Sequence, residues 1–322
     1  MKAVIYKRYG SPDELSIEDI SAPVPKKGEV LVRVHASSVN RTDCGFLRGK
    51  PLIVRLFSGL RKPKSTILGC EFAGEIVEVE VGVTGFSVGD RVMGFKDDDY
   101  GFGGHAEYTA MSVEGMISHI PERFGYEEAA VGFEGAHYAL HYIRAANISK
   151  DQTVLINGAT GAIGSAGLQI IKHLGAKVTA VCAGAHVGLV KSLGADQVIN
   201  YEETDFTELA EQFDVVFDSV GKSTFGRCKK ILKEEGIYMS TELGPYSQNP
   251  FLALLTKFHG KRRVLFPIPE NTKQDADYLA SLMEKGVYKP VVDKSYQLDD
   301  IAEAFRYVET GMKIGNVVIN VV

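Results

Sequence analysis

Thr153-Val154-Leu155-Ile156-Asn157-Gly158-Ala159-Thr160-Gly161-Ala162-Ile163-Gly164 reads as a short apolar strand, a turn with three glycines at three-residue spacing, and a helix start. Glycines let the backbone turn tightly and approach a ligand closely, and a helix N-terminus offers unpaired N–H groups and a positive dipole end. A dinucleotide pyrophosphate needs those features, here in a GxxGxxG variant of the commoner GxGxxG spacing. Asn157, Gly158, Ala159, Thr160, Gly161, Ala162, Ile163 and Gly164 are therefore the candidate phosphate-binding residues. A glycine triplet alone is weak evidence, and its surroundings decide. Ala166, Leu168, Ile170, Ile171 and Leu174 recur near helical spacing, and Gly175 stops the run. Lys177–Val181, Val198–Asn200 and Phe213–Asp218 read as further strands, with a second helix from His186 to Leu193. Alternating strands and helices predict an α/β unit whose parallel sheet is covered on both faces.

The bulk composition suits a soluble two-domain protein. A chain of 322 residues, 45% hydrophobic and 24% charged, is long enough for two real cores. A net charge of −5 argues against nucleic acid or an anionic membrane as the main partner. No apolar run approaches the roughly 18 residues that a spanning helix needs. The chain starts directly in the strand-like Met1–Tyr6, without the zones of a secretory signal. Cys44, Cys70, Cys182 and Cys228 are scattered without a CxxC pair, which fits a reducing cytoplasm and neither a disulfide framework nor a structural zinc.

The first third has a different texture. Glu29–Val39 and Glu75–Val81 alternate with period two, and Gly89–Gly94 turns into another short strand. Glycine-punctuated strands of this kind suit a small antiparallel barrel. Helical texture begins at Tyr126–Ala130, beyond a boundary near Pro121, and resumes over Ala139–Ala146. Pro250–Gly260 is apolar and suits a pocket wall, an interface or an ordinary buried helix equally. Helices are expected over Asp275–Lys285 and from Leu298 onward, the latter with acids in its first turn. Asn316–Val321 is a terminal strand whose pattern does not say which sheet it joins.

Several pieces together resemble a known family. They are Met1-Lys2-Ala3-Val4, the turn Val39-Asn40 with Asp43, Leu68-Gly69-Cys70-Glu71-Phe72-Ala73-Gly74, Val88-Gly89-Asp90-Arg91-Val92 and Gly104-His105-Ala106-Glu107-Tyr108. The glycine loop, Leu193-Gly194-Ala195-Asp196 and Gly311-Met312-Lys313-Ile314-Gly315-Asn316-Val317-Val318 complete them. Over essentially its whole length the chain resembles zinc-free members of the medium-chain dehydrogenase/reductase superfamily, in the quinone oxidoreductase-like branch. The resemblance implies a GroES-like β-barrel catalytic domain, residues 1–122 completed by 268–322, and a Rossmann domain of residues 123–267. It also implies a nicotinamide cofactor in the cleft between them, and a homodimer.

Zinc-dependent relatives place Cys, then His-Glu, where this chain has Asn40 and Cys70-Glu71. Cys70, Glu71, His105 and His137 remain conceivable ligands without a marked spacing, so no metal is expected. The second strand of the nucleotide unit ends in Val181-Cys182-Ala183-Gly184-Ala185-His186, with no acid before Asp196 to bind a ribose 2′-hydroxyl. That permits NADP(H), although no permanent cation is present in the turn. Ala183, His186 and Tyr201 are the candidates beside a 2′-phosphate.

Without zinc, hydride transfer suits a substrate that is itself an electron sink. A quinone or an α,β-unsaturated carbonyl gives an anion that needs hydrogen-bond donors and a solvent proton, whereas oxidation of a simple alcohol needs a Lewis acid or base. The expected function is NADPH-dependent reduction of a small quinone or enone. The alternatives are a zinc-free alcohol or aldehyde dehydrogenase and a non-catalytic NADPH sensor or scaffold. Asn40, in the loop facing the nicotinamide in the family, and Tyr138, where relatives carry Thr before Ala-Leu, are the candidate catalytic residues. Asp97-Asp98-Asp99-Tyr100 reads as a solvated loop, and the basic, apolar stretch Lys50–Pro63 as a substrate-side flap.

Overall fold

The long strand Glu29–Val39 organises the first unit. Its alternating Val30, Val32 and Val34 enter one core with Phe72, Ile76, Val92, Met111 and Ile117, while Arg33 stays exposed. In the computed structural model, which describes residues 1–96 and 102–322, the chain forms two compact units, 1–134 with 271–322, and 135–270. The acidic stretch Asp97–Tyr100 lies outside the described residues.

The first unit begins with the hairpin β1 (Lys2–Ile5) and β2 (Ser16–Asp19). It continues through β3 (Glu29–Val39), α1 (Arg41–Arg48), α2 (Val54–Ser58) and β4 (Glu71–Val79). β5 (Arg91–Phe95), β6 (Tyr108–Ser112), β7 (Met116–His119) and the short α3 (Tyr126–Ala129) follow. Residues 123–134 pack with this unit because Tyr126 stacks on His35 of β3, ring centroids 4.2 Å apart, under the Arg91 guanidinium.

The second unit starts with α4 (Glu134–Ala145) and runs β8 (Thr153–Asn157), α5 (Ala162–His173), β9 (Lys177–Cys182), α6 (Val187–Ser192), β10 (Gln197–Asn200) and β11 (Phe213–Asp218). It ends with α7 (Phe225–Cys228), β12 (Leu232–Ser240), α8 (Gln248–Phe258) and β13 (Arg263–Leu265). All its strands are parallel, in the order β10-β9-β8-β11-β12-β13. That is a doubly wound sheet whose order reverses between β8 and β11, where such sheets bind ligands beyond the strands' carboxyl ends. Leu155, Val181, Phe213, Val216 and Tyr238 fill its core. The Pro250–Gly260 stretch became α8, with Phe251, Leu254, Leu255 and Phe258 on an exposed stripe.

The chain then returns to the first unit as α9 (Lys273–Glu284), β14 (Val292–Gln297), α10 (Ile301–Glu309) and β15 (Asn316–Asn320). β15 pairs antiparallel with β3, Val317 opposite Val39, so the terminal strand closes the barrel-type sheet. That sheet runs β14-β15-β3-β4-β5-β7, with β6 also on β3. The architecture is a GroES-like barrel unit plus a Rossmann-type parallel sheet.

Candidate cofactor and active site

The glycine turn is built as its spacing suggests. Gly158 has φ +82°, and a Cβ there would lie 2.3 Å from Val220 Cγ1. A Cβ on Gly164 would lie 2.2 Å from the Gly158 carbonyl oxygen, so the third glycine lets α5 press against the turn. Gly161, the N-cap of α5, is different: the nearest atom to a Cβ there is 3.5 Å away. Its cap carries no side-chain hydrogen bond, and no acid occupies the helix's first turn. The positive helix end is left to a ligand, and the turn fits a pyrophosphate.

Neighbours that motif reading missed hold the turn. Asn157 is buried and donates from Nδ2 to Asp218 Oδ1 at 3.0 Å, joining the ends of β8 and β11. Ser219 Oγ donates to the carbonyl oxygens of Asn157 and Gly158 at 2.8 and 3.2 Å. Ala159 is buried, whereas Thr160, Ala162 and Ile163 are partly exposed.

Ala183 caps a short 3-10 turn, Gly184–His186, and the His186 N–H donates to its carbonyl at 3.0 Å. Tyr201 is exposed, and its N–H donates to the Cys182 carbonyl at 3.1 Å. Ala183, His186 and Tyr201 thus share the turn after β9. Glu202 shares it too, its Oε2 accepting from the Gly184 N–H at 2.9 Å. The acid missing from β9 comes from the next strand, because Asn200 of β10 is in register with Cys182 of β9. Asp196 belongs to the opposite end, where it accepts from Val178 N–H and pairs with Lys172.

In the barrel unit, Asn40 caps α1. Its N–H donates to Asp43 Oδ2 at 2.9 Å, and its Nδ2 donates to Ser38 Oγ and Glu71 Oε2 at 3.0 and 2.9 Å. Glu71 is a buried hub. Oε2 also accepts from Ser38 Oγ, and Oε1 from the N–H groups of Phe133 and Glu134 at 3.0 and 2.6 Å. Glu134 accepts from Thr42 Oγ1 and, at 3.4 Å, from Cys70 Sγ. Burial pushes the carboxyl of Asp43 up to about 6. Burial also raises those of Glu71 and Glu134, and for Glu71 the charge of Glu134 adds to it. Burial and the neighbouring carboxylates raise the Cys70 thiol. His105 donates from Nε2 to the Ser38 carbonyl at 2.7 Å, and burial lowers it to about 4, so it is neutral. The hub uses residues far apart in sequence, and the hydrogen bonds that join Ser38, Asn40, Glu71 and Glu134 were not anticipated.

Tyr138 is half-buried on α4, its ring edge-on to His137. Asn40 and Tyr138 belong to different compact units.

Comparison with known proteins bears on both units. Residues 26–122 match the family described as alcohol dehydrogenase GroES-like domain, and residues 193–319 match zinc-binding dehydrogenase. A 2-methylene-furan-3-one reductase of Solanum lycopersicum is 32% identical over 332 residues, covering 99% of this chain and 79% of that protein. The chain belongs to the medium-chain dehydrogenase/reductase superfamily, in its quinone oxidoreductase-like branch. An NADPH-dependent alkenal/one oxidoreductase of Arabidopsis thaliana is 30% identical over the same coverage, 99% and 79%. The quinone oxidoreductase of Coxiella burnetii superposes with a TM-score of 0.88 at 27% identity, covering 100% of this chain and 99% of that one.

Zinc is common in this superfamily, and the hub does not fit it. The Asn40 amide hydrogens are engaged, Glu71 accepts four hydrogen bonds, and Asp43 accepts from the N–H groups of Asn40 and Gly69. Glu134 accepts from Thr42 and from Cys70 in turn, so the hub's donors are held by one another rather than left open to a metal.

Proposed function

We propose that the chain is an oxidoreductase that uses NADPH to reduce quinones or α,β-unsaturated carbonyls, without zinc. The observation that carries this reading is the turn at Gly158, Gly161 and Gly164, shaped for a pyrophosphate at the sheet's switch point. The activities of the relatives, a 2-methylene-furan-3-one reductase and an alkenal/one oxidoreductase, support the substrate class. Bound NADPH supplies a hydride, and the electron-poor carbon of the substrate accepts it while the carbonyl oxygen takes up charge and then a proton. Such an anion calls for hydrogen-bond donors rather than a Lewis acid, in keeping with a hub whose side chains bond one another.

Asn157–Gly164 hold the pyrophosphate in this reading, with Ala183, His186 and Tyr201 on the ribose side. Asn40 acts by positioning, since its amide ties the α1 turn to Glu71. Tyr138 is the candidate donor to the substrate, supported by its partly exposed place on α4. A homodimer is supported by the apolar stripe of α8 beside β13, an open sheet edge. A cytoplasmic setting is supported by four unpaired cysteines. No helix of the described residues is long and apolar enough to cross a membrane.

The test is consumption of NADPH by metal-analysed protein with an ortho-quinone, a para-quinone, a cyclic enone, an enal and a saturated aldehyde, with NADH as control. Turnover of a quinone or enone without stoichiometric zinc supports the proposal. Tight NADPH binding with no turnover would sink it in favour of a sensor, and turnover confined to alcohols and the saturated aldehyde in favour of a dehydrogenase.

A further inference from the structure

Six cations and no carboxylate lie between Asp43 and Glu71: Arg48, Lys50, Arg55, Arg61, Lys62 and Lys64. The same stretch carries Leu52, Ile53, Leu56, Phe57 and Leu60, which are 48–72% exposed. Five large apolar side chains on one short loop and one helical turn are unusual on a surface that meets only water.

The loop is not loosely attached. Tyr9 donates from its hydroxyl to the Gly59 carbonyl at 2.6 Å and shares a 2.7 Å hydrogen bond with Ser58 Oγ. Ser58 Oγ donates to the Val54 carbonyl, and the Lys64 N–H to the Ser58 carbonyl at 2.8 Å. Arg55 donates from Nε to the Gly49 carbonyl at 3.1 Å and lies over the Tyr9 ring. Pro63 is buried. The polar groups are thus tied inward while the leucines, Ile53 and Phe57 face out. Arg48 and Arg55 have partners at Glu309 and Gly49, and Lys50, Arg61, Lys62 and Lys64 stand exposed on either side of the apolar residues in the chain.

We propose that this segment, residues 50–64, docks the protein on an anionic lipid bilayer, with Leu52, Ile53, Leu56, Phe57 and Leu60 entering the headgroup region. Charge complementarity selects the occupant. An exposed apolar segment flanked by exposed cations matches an interface of acyl chains under anionic headgroups, such as a cytoplasmic leaflet. The stripe on α8 also has cations near it but adjoins an open sheet edge that can continue into a second copy; the 50–64 segment has no strand to offer. The net charge of −5 is an average over the whole chain and does not show this local run of cations, and the lack of a long apolar run bears on spanning rather than on peripheral binding. The binding is peripheral and does not depend on the reductase reading.

The test is co-sedimentation of the full chain with vesicles of phosphatidylcholine alone, or mixed with phosphatidylglycerol, at low and physiological salt. Binding to the mixed vesicles that weakens with salt is expected. Leu56→Ser/Phe57→Ser should weaken partitioning about 100-fold. Arg61→Gln/Lys62→Gln should weaken it about 30-fold on mixed vesicles. Val24→Ser/Val81→Ser, at exposed apolar residues outside the segment, should leave it unchanged. Circular dichroism and thermal midpoints matching the parent show that the variants fold. Absence of binding to mixed vesicles, equal binding to neutral vesicles, or loss of binding through Val24→Ser/Val81→Ser instead would overturn the proposal. Conversion of a dimer to a monomer by Leu56→Ser/Phe57→Ser would also overturn it, by showing that a second copy covers the patch.

Discussion

The glycine turn of the parallel sheet and the carboxylate hub of the barrel unit both concentrate polar groups, but they are assembled in opposite ways. The turn takes its defining residues from one continuous stretch, and its backbone waits for an anion. The hub gathers Ser38, Asn40, Asp43, Cys70, Glu71 and Glu134 from three separate segments and satisfies them mutually. The N-terminus of α5 carries no side-chain cap and is the proposed phosphate site, whereas the hub's filled acceptors form a clamp. Buried polarity therefore points to a ligand only where it is left unsatisfied.

That contrast is open to direct attack, and the largest effect is expected at the clamp. Glu71→Ala strips acceptors from the Asn40 amide, Ser38 and two backbone N–H groups, so unfolding by urea should show a loss of about 3–5 kcal/mol. A loss under about 1 kcal/mol would mean the hub holds little together. Gly164→Ala places a methyl group against the Gly158 carbonyl, and NADPH affinity measured by calorimetry should fall at least about 100-fold, near 2.7 kcal/mol. Unchanged affinity would show that the turn is not the phosphate site.

The hub should also have a pH signature. Its carboxyls are raised in the folded chain, so their protonated forms favour folding. That contribution is complete below the ordinary carboxylate range and is lost as pH rises through the raised values, which for Asp43 is about 6. The thermal midpoint should fall between about pH 5 and pH 8, and Glu134→Gln should recover about 1 kcal/mol at the upper end and nothing at the lower. An unaltered pH profile in that variant would refute the assignment. The smallest effect concerns the ribose turn. Glu202→Gln removes a negative charge 2.9 Å from Gly184 N, and the NADPH-to-NADH affinity ratio should rise about threefold. A fall would mean that the carboxylate assists binding.

The same contrast explains what could be read without coordinates. Strand periodicity and glycine spacing are local, so β8, α5, β9 and β11 were all anticipated from short windows. Glu202 was not, because its place depends on the register of β10 against β9, a relation between strands. The pattern of Asn316–Val321 suits either sheet for a similar reason, and only the family resemblance assigned it to the barrel unit, where Val317 pairs with Val39. The hub depends on contacts such as Glu71 with Phe133 and Glu134, 62 and 63 residues apart. At residues 50–64 the basic and apolar composition was visible, but which side chains turn outward follows from Tyr9, a residue far from the stretch itself.

The most direct test follows the hydride itself. NADPH deuterated at nicotinamide C4 on the transferred face would be incubated with the enzyme and an enone, and the saturated product analysed by mass spectrometry and proton resonance. Deuterium on the β-carbon, with a solvent-derived hydrogen on the α-carbon, is the result expected of a glycine-loop reductase that needs no metal. NADPH consumed with no label on the product, or label only on a carbinol carbon, would contradict it.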